Sequence, residues 1–416
     1  MIKRTDFPDD FLWGASTASH QVEGGTVNQW SVWELAHAAD RAQTAKQRLD
    51  WMPSWPDIRH EAEDPANYVS GKAVDHYNRF EEDFDIVKVM GLNAFRFGIE
   101  WSRLQPTEGA WDVAAVQHYH DYIAALRKRG IEPILNLWHW TQPTWFTDKG
   151  GFTKRANLVH WNAFVKRVAE EYASDLRIVL TLNETNVYST FSYLGDEWPP
   201  GHKNVREYLS VNLNLITAHK QAYRAFKAVN PDVQIGMAQN MSMDLPLTDS
   251  VLDKLTAKVA GYAWNYTVVD RVKHYCDFIG FNYYFANYWH DFKRHNPKEP
   301  LNDMGWYMEP SRVYDLIMQV HKRYGKPIYI TENGVADAKD EHRQWWLEQT
   351  IEAMAKARAD GADLRGYMHW SLLDNFEWAE GWWPKFGLIK VDRKNGFKRT
   401  ARASAKWWAK WLRADT

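Results

Sequence analysis

Eight short apolar segments, each separated from the next by a longer stretch, constrain this chain more than any other feature. They lie at residues 11–15, 94–100, 132–139, 178–184, 233–239, 278–284, 327–332 and 365–370. Their β-branched and aromatic content suits a pleated, buried surface. Helical periodicity fills most of the gaps, over residues 75–90, 112–129, 156–172, 205–229, 311–323 and 340–360, with 400–412 closing the chain. In 75–90, Tyr77, Phe80, Phe84, Val87 and Met90 recur at helical spacing with Glu81, Glu82 and Asp85 opposite, and Gly91 then ends the pattern. Gly130 and Gly325 do the same for their helices. Strands that alternate with helices make parallel sheets, because each crossover returns the chain to the same end. Eight such units predict an α/β fold, a (β/α)8 barrel, with a doubly wound sheet as the runner-up. Residues 36–67, rich in charge and proline, and 284–307 read as long βα loops. No linker, low-complexity tract or repeat divides the chain, so residues 1–416 are expected to form a single barrel domain.

Two of the strands end alike. Ile328-Tyr329-Ile330-Thr331 runs into Glu332-Asn333-Gly334, and Ile178-Val179-Leu180-Thr181-Leu182 runs into Asn183-Glu184. A buried strand does not end in a carboxylate unless the charge is paired or used. Either glutamate alone could be a helix N-terminal charge or a salt-bridge partner. Two in the same context, each beside an asparagine, shift the balance to function. In a parallel barrel both would reach the C-terminal mouth, where barrel active sites lie. The other strand ends add His20-Gln21, Arg96 with Glu100-Trp101, Trp138-His139-Trp140, Asn282-Tyr283-Tyr284, Trp370 and, just beyond, Glu377-Trp378. Carboxylates and amides can grip hydroxyls, and indoles can face the C–H side of a ring, so one mouth of this kind suits a polyhydroxylated ring.

Composition excludes several other classes. The 51 basic and 53 acidic residues leave a net charge of -2, which argues against nucleic acid or an anionic membrane surface as a main partner. Cys276 is the one cysteine, so there is no intrachain disulfide and no thiol metal cluster. No run of about 18 apolar residues suggests a membrane span. The basic N-terminus lacks an apolar stretch behind it, and a cytoplasmic location follows by default. Most of the 24 Trp are expected to be ordinary core.

The sequence also resembles a known family. Ile330-Thr331-Glu332-Asn333-Gly334 and Thr181-Leu182-Asn183-Glu184 resemble the nucleophile and acid/base motifs of glycoside hydrolase family 1, the β-glucosidase family. Residues 11–24, Phe-Leu-Trp-Gly-Ala-Ser-Thr-Ala-Ser-His-Gln-Val-Glu-Gly, resemble its opening signature, and residues 370–378, Trp-Ser-Leu-Leu-Asp-Asn-Phe-Glu-Trp, its closing one. Four motifs in order make the resemblance specific over nearly the whole chain. It implies Glu332 as nucleophile and Glu184 as acid/base, with Arg96 and Tyr284 supporting the nucleophile. It implies sugar contacts by Gln21, His139, Trp140, Asn183, Asn282, Tyr284, Glu377 and Trp378, with Trp370 as a platform. No cofactor is implied. A metal at His139 is not expected, since no second His follows at zinc-ligand spacing. His20 reads as structural.

The implied activity is a retaining β-glycosidase of small-molecule β-glycosides or oligosaccharides, working by double displacement through a covalent glycosyl-enzyme. Terminal β-D-glucosides are the expected substrates, with β-galactosides and β-fucosides as further candidates. Three departures stand out: Thr185 replaces the usual proline after the acid/base glutamate, Glu100 resembles the archaeal-type branch, and the short chain implies trimmed rim loops. The alternative of a 6-phospho-β-glycosidase calls for a serine and a downstream Lys-x-Tyr, where this chain has Glu377, Pro384 and Phe386. A catalytically inactive sugar-binding barrel usually loses one carboxyl, and here both are kept. Oligomeric state is not addressed by the sequence.

Overall fold

The computed structural model describes residues 2–414. At its centre is a closed barrel of eight parallel strands: β1 (Leu12–Ser16), β2 (Ala94–Gly98), β3 (Glu132–Asn136), β4 (Ile178–Asn183), β5 (Gln234–Asn240), β6 (Ile279–Tyr283), β7 (Ile328–Asn333) and β8 (Leu364–Trp370). Each pairs with its neighbours in chain order, and β1 pairs with both β2 and β8, with Gly14 opposite Ala94 and Leu12 opposite Gly366. That last pairing closes the sheet, so the fold is a (β/α)8 barrel and the doubly wound alternative falls away. The helices His76–Met90, Val113–Lys128, Leu158–Tyr172, Val205–Val229, Val313–Tyr324 and Arg343–Ala359 lie where periodicity placed them, and Ala403–Arg413 follows β8. Gly91 ends the first of these in the left-handed region (φ 83°), where its N–H bonds back to Lys88 and Val87.

Side chains alternate across each strand. Ala94, Ile134, Ile178, Leu180, Ala238, Phe278, Tyr329 and Met368 form one buried cluster that fills the barrel interior. Phe95, Phe97, Val179 and Ile330 join the cluster formed with the helices. Toward the mouth, the inward positions turn polar. The register of β7 slips after Ile330, and that of β4 against β5 slips between Leu180 and Asn183. Such irregularities re-aim side chains, and here they fall just before Glu332 and Glu184.

The two segments read as loops carry regular structure. Residues 36–67 contain the end of helix Gln29–Gln43, helices Ala45–Leu49 and Trp55–Ala62, and the start of a 3-10 turn at Pro65–Tyr68. Pro56 lies in the first turn of its helix, where the missing N–H costs nothing. Residues 284–307 supply strands Ala286–His290 and Lys293–Arg294, which join Met243–Pro246 in a small sheet beside the mouth. The expected strand 94–100 stops at Gly98, and Glu100 instead caps the short helix Trp101–Leu104. A further helix, Val251–Gly261, follows β5. Among the described residues no helix is long and apolar enough to cross a membrane.

Candidate active site

Glu332 sits buried at the end of β7. Arg96, the inward residue two places after Ala94 on β2, donates through Nη1 to Glu332 Oε1. Tyr284, just past β6, donates its hydroxyl to Oε2 at 2.8 Å. The motif glycine two residues after Glu332 has a steric cause: a Cβ on Gly334 would lie 1.8 Å from the Trp370 carbonyl oxygen, so the chain after β7 approaches the end of β8 this closely only with glycine there.

Glu184 leaves β4 in the left-handed region (φ 43°) and starts the helix Thr185–Tyr193. A non-glycine residue pays for that conformation with about 1–2 kcal/mol, which surrounding contacts must offset. Here its N–H bonds to the Ala238 carbonyl at 2.7 Å, and its side-chain Oε1 accepts from Asn282 Nδ2 (2.8 Å) and Asn240 Nδ2 (3.0 Å). With two donors on Oε1, the proton of the neutral acid belongs on Oε2. Both amides are held in orientation. Thr331 donates to Asn282 Oδ1 at 2.6 Å, and Trp264 Nε1 donates to Asn240 Oδ1 at 2.9 Å.

The two carboxyls differ in their surroundings. Burial first, then the negative charge of Glu332, pushes Glu184 up to about 8, against the pull of its two amide donors. Burial also raises Glu332, but the Arg96 guanidinium and the Tyr284 hydroxyl oppose it. Glu332 therefore ionises before Glu184, and the pair naturally holds one charge and one proton. Tyr284 itself stays a phenol, raised well above its ordinary value by burial and by Glu332.

Most of the sequence-expected residues converge here. Asn183 Oδ1 accepts from Arg96 Nη2 (2.6 Å) and Asn282 Nδ2 (3.1 Å). Its Nδ2 therefore faces His139 Nε2 at 3.0 Å, which accepts, while Asn136 Nδ2 stands 3.3 Å from His139 Nδ1 on the other side of the ring. Burial and Arg96 hold His139 neutral, well below the ordinary imidazole range. Gln21 donates to the Phe376 carbonyl (2.7 Å) and Glu377 Oε2 (3.4 Å), and its own Oε1 is buried with no protein partner. Glu377 is half-buried beside it, bonded to Asn375 Nδ2 at 2.8 Å, and desolvation of its carboxyl pushes it up to about 8. The indoles of Trp140 and Trp378 pack at 4.7 Å, and the ring of Trp370 lies 5.8 Å from His139. Trp140 spends its N–H on the Asn183 carbonyl at 2.9 Å, so it contributes a wall rather than a donor.

His20 sits behind this layer, stacked on Trp378 and bonded to Thr26 Oγ1 at 2.9 Å. Glu100 is likewise outside the mouth, accepting from Ser102, Thr141 and Ser19 hydroxyls. Sequence reasoning missed Asn240, because strand five was drawn one residue short, and Trp264, which a π-helical turn at Tyr262–Tyr266 presents. The strand-end amide beside Gln239 was the available signal for the first; nothing local marked the second. Among the described residues, the acidic and histidine atoms close enough together to hold a cation belong to Asp253, His290 and Asp291, outside the mouth and already bonded to one another.

Comparison with known proteins adds a second line. The sequence model described as Glycosyl hydrolase family 1 matches residues 3–270 and 265–415. The chain is 30% identical over 466 residues to Beta-glucosidase A of Acetivibrio thermocellus, covering 98% of each protein. It is 30% identical over 457 residues to the 1,4-beta-D-glucan glucohydrolase of Thermotoga neapolitana, covering 97% of each. Among solved structures, a beta-glycosidase from Pyrococcus horikoshii superposes with a TM-score of 0.86 at 33% identity, covering 98% of this chain and 95% of that one. The beta-glucosidase from Thermotoga maritima in complex with deoxynojirimycin gives 0.84 at 26% identity, covering 98% of each.

Proposed function

The chain belongs to glycosyl hydrolase family 1, and we propose that it hydrolyses terminal β-D-glucosides with retention of configuration, through a covalent glycosyl-enzyme. It is a glycoside hydrolase acting on O-glycosyl bonds. The observation that carries the proposal is the opposed environment of the two buried carboxyls: one beside a guanidinium, one beside only amides and the other's charge. Hydrolysis with retention needs one ionised carboxylate and one protonated acid about 5–5.5 Å apart.

In the first step Glu332 attacks the anomeric carbon from the α face, while Glu184 passes its Oε2 proton to the departing oxygen. The C–O bond to the aglycone breaks, and an α-linked glycosyl ester to Glu332 forms. Neutralising Glu332 removes the charge that held the Glu184 pKa up, so Glu184 is left as a carboxylate able to act as base. It then takes a proton from water as the water oxygen bonds to the anomeric carbon and the ester bond breaks. Two inversions release the β-anomer, with both carboxyls restored. Arg96 and Tyr284 steady the Glu332 charge, and Asn183, Gln21, His139, Glu377 and Trp378 are assigned to the sugar hydroxyls. Trp370 serves as platform, and Asn282 and Asn240 keep the acid's proton on the oxygen facing the leaving group.

Glu377 favours an unphosphorylated sugar, because a half-buried carboxyl there gives a phosphate dianion no counter-charge, and neither does buried Phe386, packed near Tyr284. We read residues 1–416 as one catalytic unit, supported by the β1–β8 closure, which draws on both ends of the chain. A chromogenic aryl β-glucoside tests the function. The wild type should cleave it in strong preference to its 6-phosphate. Glu332→Ala should lose turnover and regain it with azide, giving the α-glycosyl azide. Near-normal hydrolysis by Glu332→Ala without azide would refute the assignment.

A further inference from the structure

The helix Val251–Gly261 is amphipathic in an unusual sense. Its inward ridge is Asp253, Ala257 and Gly261, all buried, and a Cβ on Gly261 would already lie 3.4 Å from Asp244 Cβ on the small sheet beside the mouth. Small residues let the helix lie close against that sheet. The opposite, outward ridge is Val251, Leu255 and Val259, at 83%, 56% and 59% exposure. A surface helix ordinarily turns charged and polar residues outward. Leu252 and Tyr262 widen the apolar strip, and Leu247 extends it beyond the helix start.

We propose that this face is the contact through which two copies of the chain form a two-fold symmetric dimer.

Three features of the strip favour a second copy over another occupant. The first is its own symmetry. Val251 and Val259 stand four residues either side of Leu255, so the ridge reads the same in both directions. A two-fold interface requires such self-complementarity, with residue i of one copy meeting residue j of the other and the reverse. With Leu255 on the axis and the helices antiparallel, Leu255 meets its own counterpart, and Val251 of each copy meets Val259 of the other. Ridges built on four-residue spacing pack into one another at a crossing angle of about 50°.

The second feature is area. The apolar exposed residues of the strip present roughly 600 Å², at the top of the range for the largest patch on a monomer. The stems of Lys254 and Lys258 bring this toward the about 800 Å² that each partner buries in a standard interface. The third is charge. Asp249 precedes the helix and bonds Lys254 at 3.0 Å, while Lys258 stands in the second half. Antiparallel pairing brings the acidic start of one helix toward the basic half of the other, as the helix dipoles also favour. An anionic membrane surface would meet Asp249 as well as the lysines.

The test is the mass of the full chain in solution at micromolar concentration, by light scattering or sedimentation equilibrium. A dimer is expected, and Leu255→Glu, which would place two carboxylates on the axis, should make it monomeric. Cleavage of a small aryl β-glucoside should be unchanged, because Leu255 is outside the mouth. Cysteine variants fix the geometry, since the native Cys276 is buried. On mild oxidation Leu255→Cys should cross-link to its own copy. Val251→Cys and Val259→Cys should cross-link when mixed and not separately. A monomeric wild type would overturn the proposal. So would a dimer that survives Leu255→Glu while Leu255→Cys stays uncrosslinked, or a monomer that sediments with anionic vesicles through this face.

Discussion

Replacing Glu332 with glutamine should lower the pKa of Glu184 without touching Glu184 itself. The charge on Glu332 is the second cause, after burial, that raises Glu184 to about 8. At a retaining separation of about 5.5 Å and an effective dielectric constant of about 20, two carboxylates repel by about 3 kcal/mol. That is roughly 2 pKa units. Glu332→Gln removes the repulsion and leaves the burial, so Glu184 should fall from about 8 to about 6 and stay above an ordinary carboxyl. The assay is carbon NMR of side-chain-labelled glutamate, titrated in both proteins. Glu377 also titrates near 8, so Glu184→Gln and Glu377→Gln are needed to assign the two signals. A Glu184 titration that Glu332→Gln leaves in place would mean that Glu332 carries no charge near it, and the division of roles would fail.

Glu184→Gln should slow substrates with poor leaving groups by roughly 10² or more while sparing the glycosylation step of dinitrophenyl glycosides; equal losses measured for both would count against the acid role. The same variant should be more stable than the wild type at neutral pH. The raised Glu184 pKa gives stability that is full below about 4.5 and is lost as pH rises through about 8. Removing that dependence is worth about 3 kcal/mol at pH 7, or about 3 °C in Tm for a chain this long, measurable by calorimetry. Asn240→Ala deletes a donor that favours the Glu184 anion, so the alkaline limb of kcat/KM should move upward; a downward shift in the pH profile would contradict that hydrogen bond's role.

Much of this was legible in the sequence, for definable reasons. Most barrel strands are short, largely apolar runs bounded by turn residues, and such runs announce themselves. Closure was expected from the count of eight βα units, but the pairing that makes it has no local signal, since Leu12 and Gly366 meet across most of the chain. Nor were the register slips before Glu184 and Glu332, which depend on neighbouring strands rather than local residues. Glu100 was read as the end of a strand because an N-cap glutamate and a strand-end glutamate look alike in sequence. The helices within 36–67 were hidden by prolines that in fact stand at helix starts. The helix Val251–Gly261 was missed although Val251, Leu255 and Val259 recur at four-residue spacing; what the sequence could not show is that this apolar ridge faces outward while Asp253, Ala257 and Gly261 face in. In the site, residues that carry motifs were found. Asn240 and Trp264, which act by orienting another residue, were visible only once the chain was folded.

The most direct test of double displacement is the anomer released first. Proton NMR spectra of an aryl β-glucoside digest, recorded within the first minutes and before mutarotation, follow the anomeric signals of the free sugar. Attack by Glu332 followed by attack of water on the same carbon inverts configuration twice, so the β-anomer should appear first and the α-anomer only later, at the rate of spontaneous mutarotation. An initial α-anomer would mean a single displacement by water, a role for Glu332 other than nucleophile, and a wider gap between the carboxyls than a retaining pair allows.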